Sequence, residues 1–155
     1  MSVTALADVK NGVVRAEVEI AAPPKAVFRA LTEPAELGSW WGSADLYQTR
    51  NWVMDLRVGG KWRAEAIGAD GGDASIVRGE VLELDPPRLL SYSWEPSWDG
   101  FVRTIVRYEL TETPRGTKVQ LTHRGFAEGA SLTDHAQGWE RVLGWLEAHP
   151  SGRSR

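Results

Sequence analysis

The chain has 155 residues, 42% hydrophobic and 25% charged, which is enough for one globular domain that buries its own core. Its formal net charge of -3 gives no electrostatic reason to expect nucleic acid as a partner, and the absence of cysteine excludes disulfides, thiol catalysis and thiolate metal sites. No apolar run approaches the roughly 20 residues of a membrane span and no secretory signal is evident, so we expect a cytoplasmic protein without membrane insertion.

The N-terminal third is predicted to contain one strand and two short helices. Residues 1–12 are expected to form a flexible leader that ends in an Asn11-Gly12 turn. Val13–Ile20 alternates apolar and charged residues, as a half-buried strand does. Pro24 and Pro34 then each begin a short helix, and the second helix carries the pair Trp40-Trp41 on its apolar side.

The middle of the chain is predicted to be almost entirely strand and turn. Alternating patterns indicate about six strands, at residues 51–57, 61–67, 74–84, 88–95, 102–110 and 119–124. The turns that join them are too short for crossovers, so neighbouring strands must be antiparallel.

A long amphipathic helix is predicted over Ser131–His149. Leu132, Trp139 and Leu146 follow the spacing of one helical face, and Ser131 with Asp134 fits a capping box. Pro150 and Gly152 end the helix. The prediction is therefore an α+β fold with a single domain over residues 13–149, a curved antiparallel sheet around the C-terminal helix, and a tail at 150–155.

Five sequence segments in this order resemble a known family: IAAPPKAVFRALTEPAELGSWWG, VGGKWR, RGEVLELDPPRLLSYSW, VQLTHRGF and GWERVLGWLEAH. Together they look like the START-like (SRPBCC) superfamily, in the branch of homologues of the heat-shock-protein-90 ATPase activator. The resemblance implies a helix-grip fold, often with a cavity between sheet and helix. Members bind lipids, hormones and other small apolar molecules, some are cyclases or aromatase-like enzymes, and the eukaryotic activators act on a chaperone.

Aromatic residues are the main candidates for binding. Eight tryptophans are spread along the chain, and rings on the predicted inner faces would line an apolar pocket or fill a solid core. Ala64, Ala66 and Gly79 would leave room among them. The candidate ligand-binding aromatic residues are Trp40, Trp41, Trp62, Tyr92, Trp94, Tyr108 and Trp139.

His123 is the most interesting ionisable candidate on the inner face. It continues the Val119 and Leu121 face toward the long helix, so it is either a structural histidine or a polar contact for a ligand carbonyl or carboxylate. On the second interpretation, His123→Ala would weaken binding more than folding. The spacing of the three histidines suggests no metal site, no nucleophile motif is present, and no cofactor is expected.

Three functions remain open at this stage. The first is binding of a small hydrophobic or amphipathic ligand in the cavity. The second is a protein-interaction module in chaperone or stress biology, which a large exposed apolar patch would favour. The third is a cavity enzyme of cyclase type that uses His123 for acid–base chemistry. Trp98, beside an Asp-Gly turn, either anchors a partner such as a second copy in a homodimer or folds over the cavity mouth.

Overall fold

The computed structural model describes residues 3–8, 10–127 and 129–149, with the side chains of residues 129 and 130 left aside. The strands are β1 Thr4–Asp8, β2 Val13–Ile20, β3 Gly42–Ser43, β4 Tyr47–Met54, β5 Lys61–Gly68, β6 Ser75–Asp85, β7 Leu89–Pro96, β8 Thr104–Thr113 and β9 Gly116–Arg124. The helices are α1 Pro24–Thr32, α2 Pro34–Trp40 and α3 Gly129–Ala148, with a 3-10 turn at Ser97–Asp99.

The strands form one antiparallel sheet in the order β1-β2-β9-β8-β7-β6-β5-β4-β3. Consecutive strands from β3 to β9 are neighbours, as their short connections require, and β2 closes the run by pairing with β9. Helix α3 lies against this curved sheet and contacts β1 and β2. The predicted α+β helix-grip architecture is confirmed, and β2 has the predicted bounds.

The expected flexible leader is wrong over Thr4–Asp8, which pair with β2 in register from Thr4 opposite Glu17 to Asp8 opposite Val13. Ala5 and Ala7 pack against the core, whereas Leu6 is 72% exposed. The segment has little apolar side-chain area, so its strand depends on the pairing partner more than on its own pattern. Residues 1, 2 and 9 and the predicted tail at 150–155 lie outside the described residues.

The long helix begins at Gly129, so Ser131 is inside its first turn and does not cap it. Its hydroxyl donates instead to Asp99 Oδ2 at 3.0 Å, which joins the helix to the 3-10 turn after β7. Ser131 thus hydrogen-bonds to a residue 32 positions earlier in the chain, although its position near the predicted helix start indicated a cap.

The strand predicted over residues 51–57 is displaced, because β4 begins at Tyr47 and ends at Met54. Asp55 already belongs to a tight turn in which Gly60 approaches the Asp55 carbonyl so closely that a Cβ would lie 2.0 Å from that oxygen. Leu56, which falls within the predicted strand, is consequently outside β4 and exposed. Val102 is likewise exposed and precedes β8.

Buried side chains from the concave face of the sheet, from both short helices and from α3 form one core. Leu132, Ala136, Trp139, Leu143 and Leu146 supply the buried stripe of α3, as the helical spacing predicts. None of the described helices is both long enough and apolar enough to span a bilayer.

Candidate functional site: an aromatic cavity between sheet and helix

A cavity of about 340 Å³ lies between strands β4 to β7 and helix α3. Its wall is dominated by aromatic rings that come from five separate parts of the chain. These are Trp41, Trp52, Trp62, Trp94 and Trp139.

The five rings form a continuous network around Trp41, the residue that follows α2. The ring centroid of Trp41 lies 5.2 Å from that of Trp52, 6.3 Å from that of Trp94 and 5.7 Å from that of Trp139. Trp62 closes the network at 6.2 Å from Trp52 and 5.7 Å from Trp94. Each separation falls within the range of favourable aromatic contact, so the wall is a packed aromatic surface.

Small residues keep the space inside this wall open. Ala64, Ala66 and Gly68 on β5 and Gly138 on α3 line the cavity. A Cβ placed on Gly138 would meet no heavy atom within 4 Å. The opening therefore depends on small or absent side chains at these positions.

Gly79, expected to contribute to the same space, has a different role. A Cβ there would lie 1.9 Å from the Ser93 carbonyl oxygen and 2.5 Å from Trp62 Nε1. Trp62 donates its indole N–H to that carbonyl at 2.9 Å across the bare backbone of Gly79. Gly79 thus makes room for a hydrogen bond that orients the Trp62 ring, and it does not line the cavity.

Polar and exposed side chains complete the boundary. Asp134 and Arg141 on α3, Tyr47 on β4 and Glu65 on β5 line the cavity. Trp98 lies at the same boundary and is 53% exposed. This location agrees with the predicted position at the cavity mouth, whereas the alternative, an anchor for a partner or a second copy, stays a prediction. The cavity therefore has an apolar interior and a polar, partly open margin.

Most indole N–H groups of the buried tryptophans have a hydrogen-bond partner. Of the six buried tryptophans, five donate to a partner: Trp40 to Ala30 O, Trp41 to Tyr47 Oη, Trp52 to Thr49 Oγ1, Trp62 to Ser93 O and Trp139 to His123 Nδ1. Trp94 Nε1 is buried without a partner, and so is His135 Nε2. In the described part of the chain these are the buried side-chain nitrogens that remain available.

His123 is buried behind the wall and does not line the cavity. Its Nδ1 accepts the Trp139 N–H at 2.9 Å, which leaves Nε2 protonated in the neutral ring and donating to Thr104 Oγ1 at 2.6 Å. The Thr104 hydroxyl in turn donates to the Trp94 carbonyl at 3.3 Å. Burial, helped by nearby His135, holds the pKa of His123 well below its ordinary value. Both nitrogens are thus engaged within the protein.

Four of the eight candidate residues, Trp41, Trp62, Trp94 and Trp139, line the cavity, and four lie outside its lining. Trp40 is held by Ala30, His123 by Thr104 and Trp139, and the hydroxyls of Tyr92 and Tyr108 lie 3.3 Å apart in the core. Burial raises the pKa of both tyrosines well above its ordinary value.

Sequence reasoning missed Trp52 and His135 as members of the site. Trp52 falls within the strand predicted over residues 51–57, whereas its hydrogen-bond partner Thr49 lies outside those bounds. His135 borders the apolar stripe of α3. Only its ring contact with Trp94 shows that it lies at the cavity. His, Asp and Glu side chains do not form a group of three or more suited to a metal within the described ranges.

Similar proteins agree with this architecture. A solved protein from Mesorhizobium loti is 26% identical over 92% of this chain and 98% of its own, with a TM-score of 0.74. The AHSA1 protein from Silicibacter pomeroyi is 25% identical over 88% of this chain and 95% of its own, with a TM-score of 0.75. A protein from Mycobacterium smegmatis is 21% identical over 95% and 96%, with a TM-score of 0.80.

Curated proteins give no match to this sequence. The model of the family described as "Activator of Hsp90 ATPase homolog 1-like protein" matches residues 21–149, which include both short helices, strands β3 to β9 and helix α3. The elements that build the cavity all lie within that match. The chain therefore belongs to the family of Activator of Hsp90 ATPase homolog 1-like proteins.

Proposed function

We propose that this protein binds a small hydrophobic or amphipathic ligand in the cavity between the sheet and α3. The observation that carries the proposal is a space of about 340 Å³ bordered by five tryptophans and kept open by Ala64, Ala66 and Gly138. That volume is at the small end of the range for ligand pockets, which favours a compact molecule.

The driving force for such binding is burial of apolar surface. Each Å² of apolar area removed from water contributes roughly 25 cal/mol, and a rigid aromatic wall adds little ordering cost on binding. Because the ring network and its hydrogen bonds are formed in advance, the site is preorganised for its ligand.

The test fills the cavity from the helix side. Gly138→Leu adds a side chain at a position that lines the cavity and where a Cβ meets no heavy atom within 4 Å, so we expect it to occupy the space without a clash at the backbone. Gly144→Leu is the matched control, since Gly144 is on the same helix, its Cβ also meets nothing, and it does not line the cavity. Intrinsic tryptophan fluorescence is followed for each protein while fatty acids, steroids and aromatic compounds are added.

We expect at least one class of compound to shift the fluorescence of the parent protein and of Gly144→Leu, and Gly138→Leu to lose at least about tenfold in affinity. Fluorescence that no compound changes at high concentration would contradict the proposal. So would equal binding by Gly138→Leu and Gly144→Leu, because the ligand would then lie elsewhere.

The other two hypotheses have less support. Among the exposed large apolar side chains, Val53, Leu56 and Val58 lie close together in the chain, whereas the others come from separate segments, and the cavity is the better-defined apolar feature. An enzyme that uses His123 would need that ring to reach a substrate, whereas both of its nitrogens are bonded within the core.

A further inference from the structure

Two buried polar atoms at the cavity have no hydrogen-bond partner among the described residues. They are Nε1 of Trp94 on β7 and Nε2 of His135 on α3. A buried donor or acceptor left unpaired destabilises a protein measurably, so most such atoms in native proteins are paired. These two lie on facing elements, with ring centroids 6.2 Å apart and ring planes at 79°.

The two atoms offer complementary chemistry. The Trp94 indole nitrogen can only donate. His135 Nδ1 lies 2.9 Å from the Ser131 carbonyl oxygen, which can only accept, so Nδ1 carries the proton. In the neutral ring, Nε2 is then an acceptor. The pair therefore presents one donor and one acceptor on the two sides of the site.

Trp94 and His135 also separate the aromatic cavity from a second one of about 360 Å³. The second cavity is bordered by Thr104, Phe126 and Ser131 together with the same two rings. A hydroxyl oxygen at about 2.9 Å from each partner joins nitrogens roughly 5 Å apart. The two rings are in edge contact on either side of this boundary, with centroids 6.2 Å apart. Both nitrogens are covered in this structure, so contact requires neighbouring side chains at the cavity boundary to shift while the His135 Nδ1 bond to Ser131 is kept, and the cavities on either side provide the space.

We propose that the ligand carries a hydroxyl group held between Trp94 and His135, with its apolar body among the tryptophans. This inference rests on the proposed function and specifies its ligand class. A hydroxyl is the smallest group that accepts from the Trp94 N–H and donates to His135 Nε2 with one atom. An ether only accepts, a hydrocarbon does neither, and a carboxylate has no proton for His135.

Matched two-ring probes separate these cases: 2-naphthol, 2-methoxynaphthalene, naphthalene and 2-naphthoate. Their affinities for the parent protein are measured by equilibrium dialysis. We expect 2-naphthol to bind about tenfold or more tightly than each of the other three, because it alone pairs both buried atoms.

Variants identify which groups produce the preference. Trp94→Phe removes the donor and His135→Phe removes the acceptor, and each should bring the ratio of naphthol to naphthalene affinity close to one. Trp52→Phe is the matched control on the same wall. Because the Trp52 N–H is already bonded to Thr49 Oγ1, this change should alter all four affinities alike and keep the ratio.

The outcomes separate this inference from the function on which it rests. If naphthalene and naphthol bind equally, or naphthoate binds more tightly than naphthol, the hydroxyl assignment is overturned while cavity binding stands. If none of the probes or the panel compounds binds, the proposed function itself fails. A ratio that survives both Trp94→Phe and His135→Phe would also overturn the assignment, and the His135 variant decides if Trp94→Phe does not fold.

Discussion

The His123 ring joins three elements of the core through its two nitrogens. It connects β9 to α3 through the Trp139 N–H and β9 to β8 through the Thr104 hydroxyl. Thr104 extends the chain of bonds to the Trp94 carbonyl on β7. Each group satisfies the next, so removing one leaves a buried neighbour unpaired.

Replacing His123 should therefore affect folding more than binding. We expect His123→Ala to lower the free energy of unfolding by about 3 kcal/mol, because a buried ring is lost and the Trp139 N–H has no acceptor. Thr104→Val, which keeps the shape and removes one hydroxyl, should cost about 1 to 2 kcal/mol. Urea denaturation measures both, and a stable His123→Ala protein with weakened ligand affinity would refute this structural role.

Single residues also show where sequence reasoning stops. Alternation correctly placed Trp62, Ala64 and Trp94 on the buried face. It could not show that the Trp62 N–H crosses Gly79 to reach Ser93, because that contact joins residues 31 positions apart. The alternation of side chains along a strand predicts which of them point to the buried face. Whether a buried side chain also lines a cavity depends on how the neighbouring rings pack.

Strand β1, like the two-residue strand β3, was not predicted from the sequence. Antiparallel pairing with β2 covers the outer edge of that strand, and β1 also contacts α3. An uncovered β2 would present unpaired backbone donors and acceptors to other molecules. The five residues TALAD hold their place through this pairing and through the packing of Ala5 and Ala7.

Deleting residues 1–8 should consequently reduce stability and promote self-association. We expect the midpoint of thermal unfolding to fall by roughly 5 °C, together with the appearance of dimers or larger species in size-exclusion chromatography. Leu6→Lys is the control, since this side chain is exposed and the strand backbone remains, and it should leave both measurements unchanged. Unchanged stability after the deletion would show that β1 is dispensable.

At the scale of the whole molecule, the fold was predictable because many weak local signals agree. Short connections required antiparallel neighbours, and one long amphipathic helix needed a sheet to cover its apolar face. The site was only half predictable. Trp41, Trp94 and Trp139 come from distant parts of the chain, and their meeting around one space depends on sheet curvature that no local pattern contains.

Buried ionisable groups set how the stability of the whole molecule depends on pH. Burial lowers the pKa of His123 below its ordinary value of 6.5, so the folded state favours the neutral ring. Burial raises the pKa of Tyr108 above 10.0, so the folded state also favours the neutral phenol. A hydrogen bond from Asn51, with others from Arg50 and Arg63, lowers the pKa of Glu65 below 4.5. The three effects therefore act in separate pH windows.

Stability should be greatest between about pH 7 and 9 and fall on both sides. Below pH 6.5 the unfolded chain takes up a proton at position 123 that the folded protein resists, so stability falls by up to about 1.4 kcal/mol per pH unit. Above pH 10.0 the unfolded chain loses the Tyr108 proton first, and stability falls again. Urea denaturation from pH 5 to 7 should give a shallower acid slope for His123→Gln than for the parent protein. His135 and His149 are present in both proteins, so the difference between the two curves isolates the contribution of His123. Parallel curves would show that burial of His123 does not control the loss of stability at acid pH.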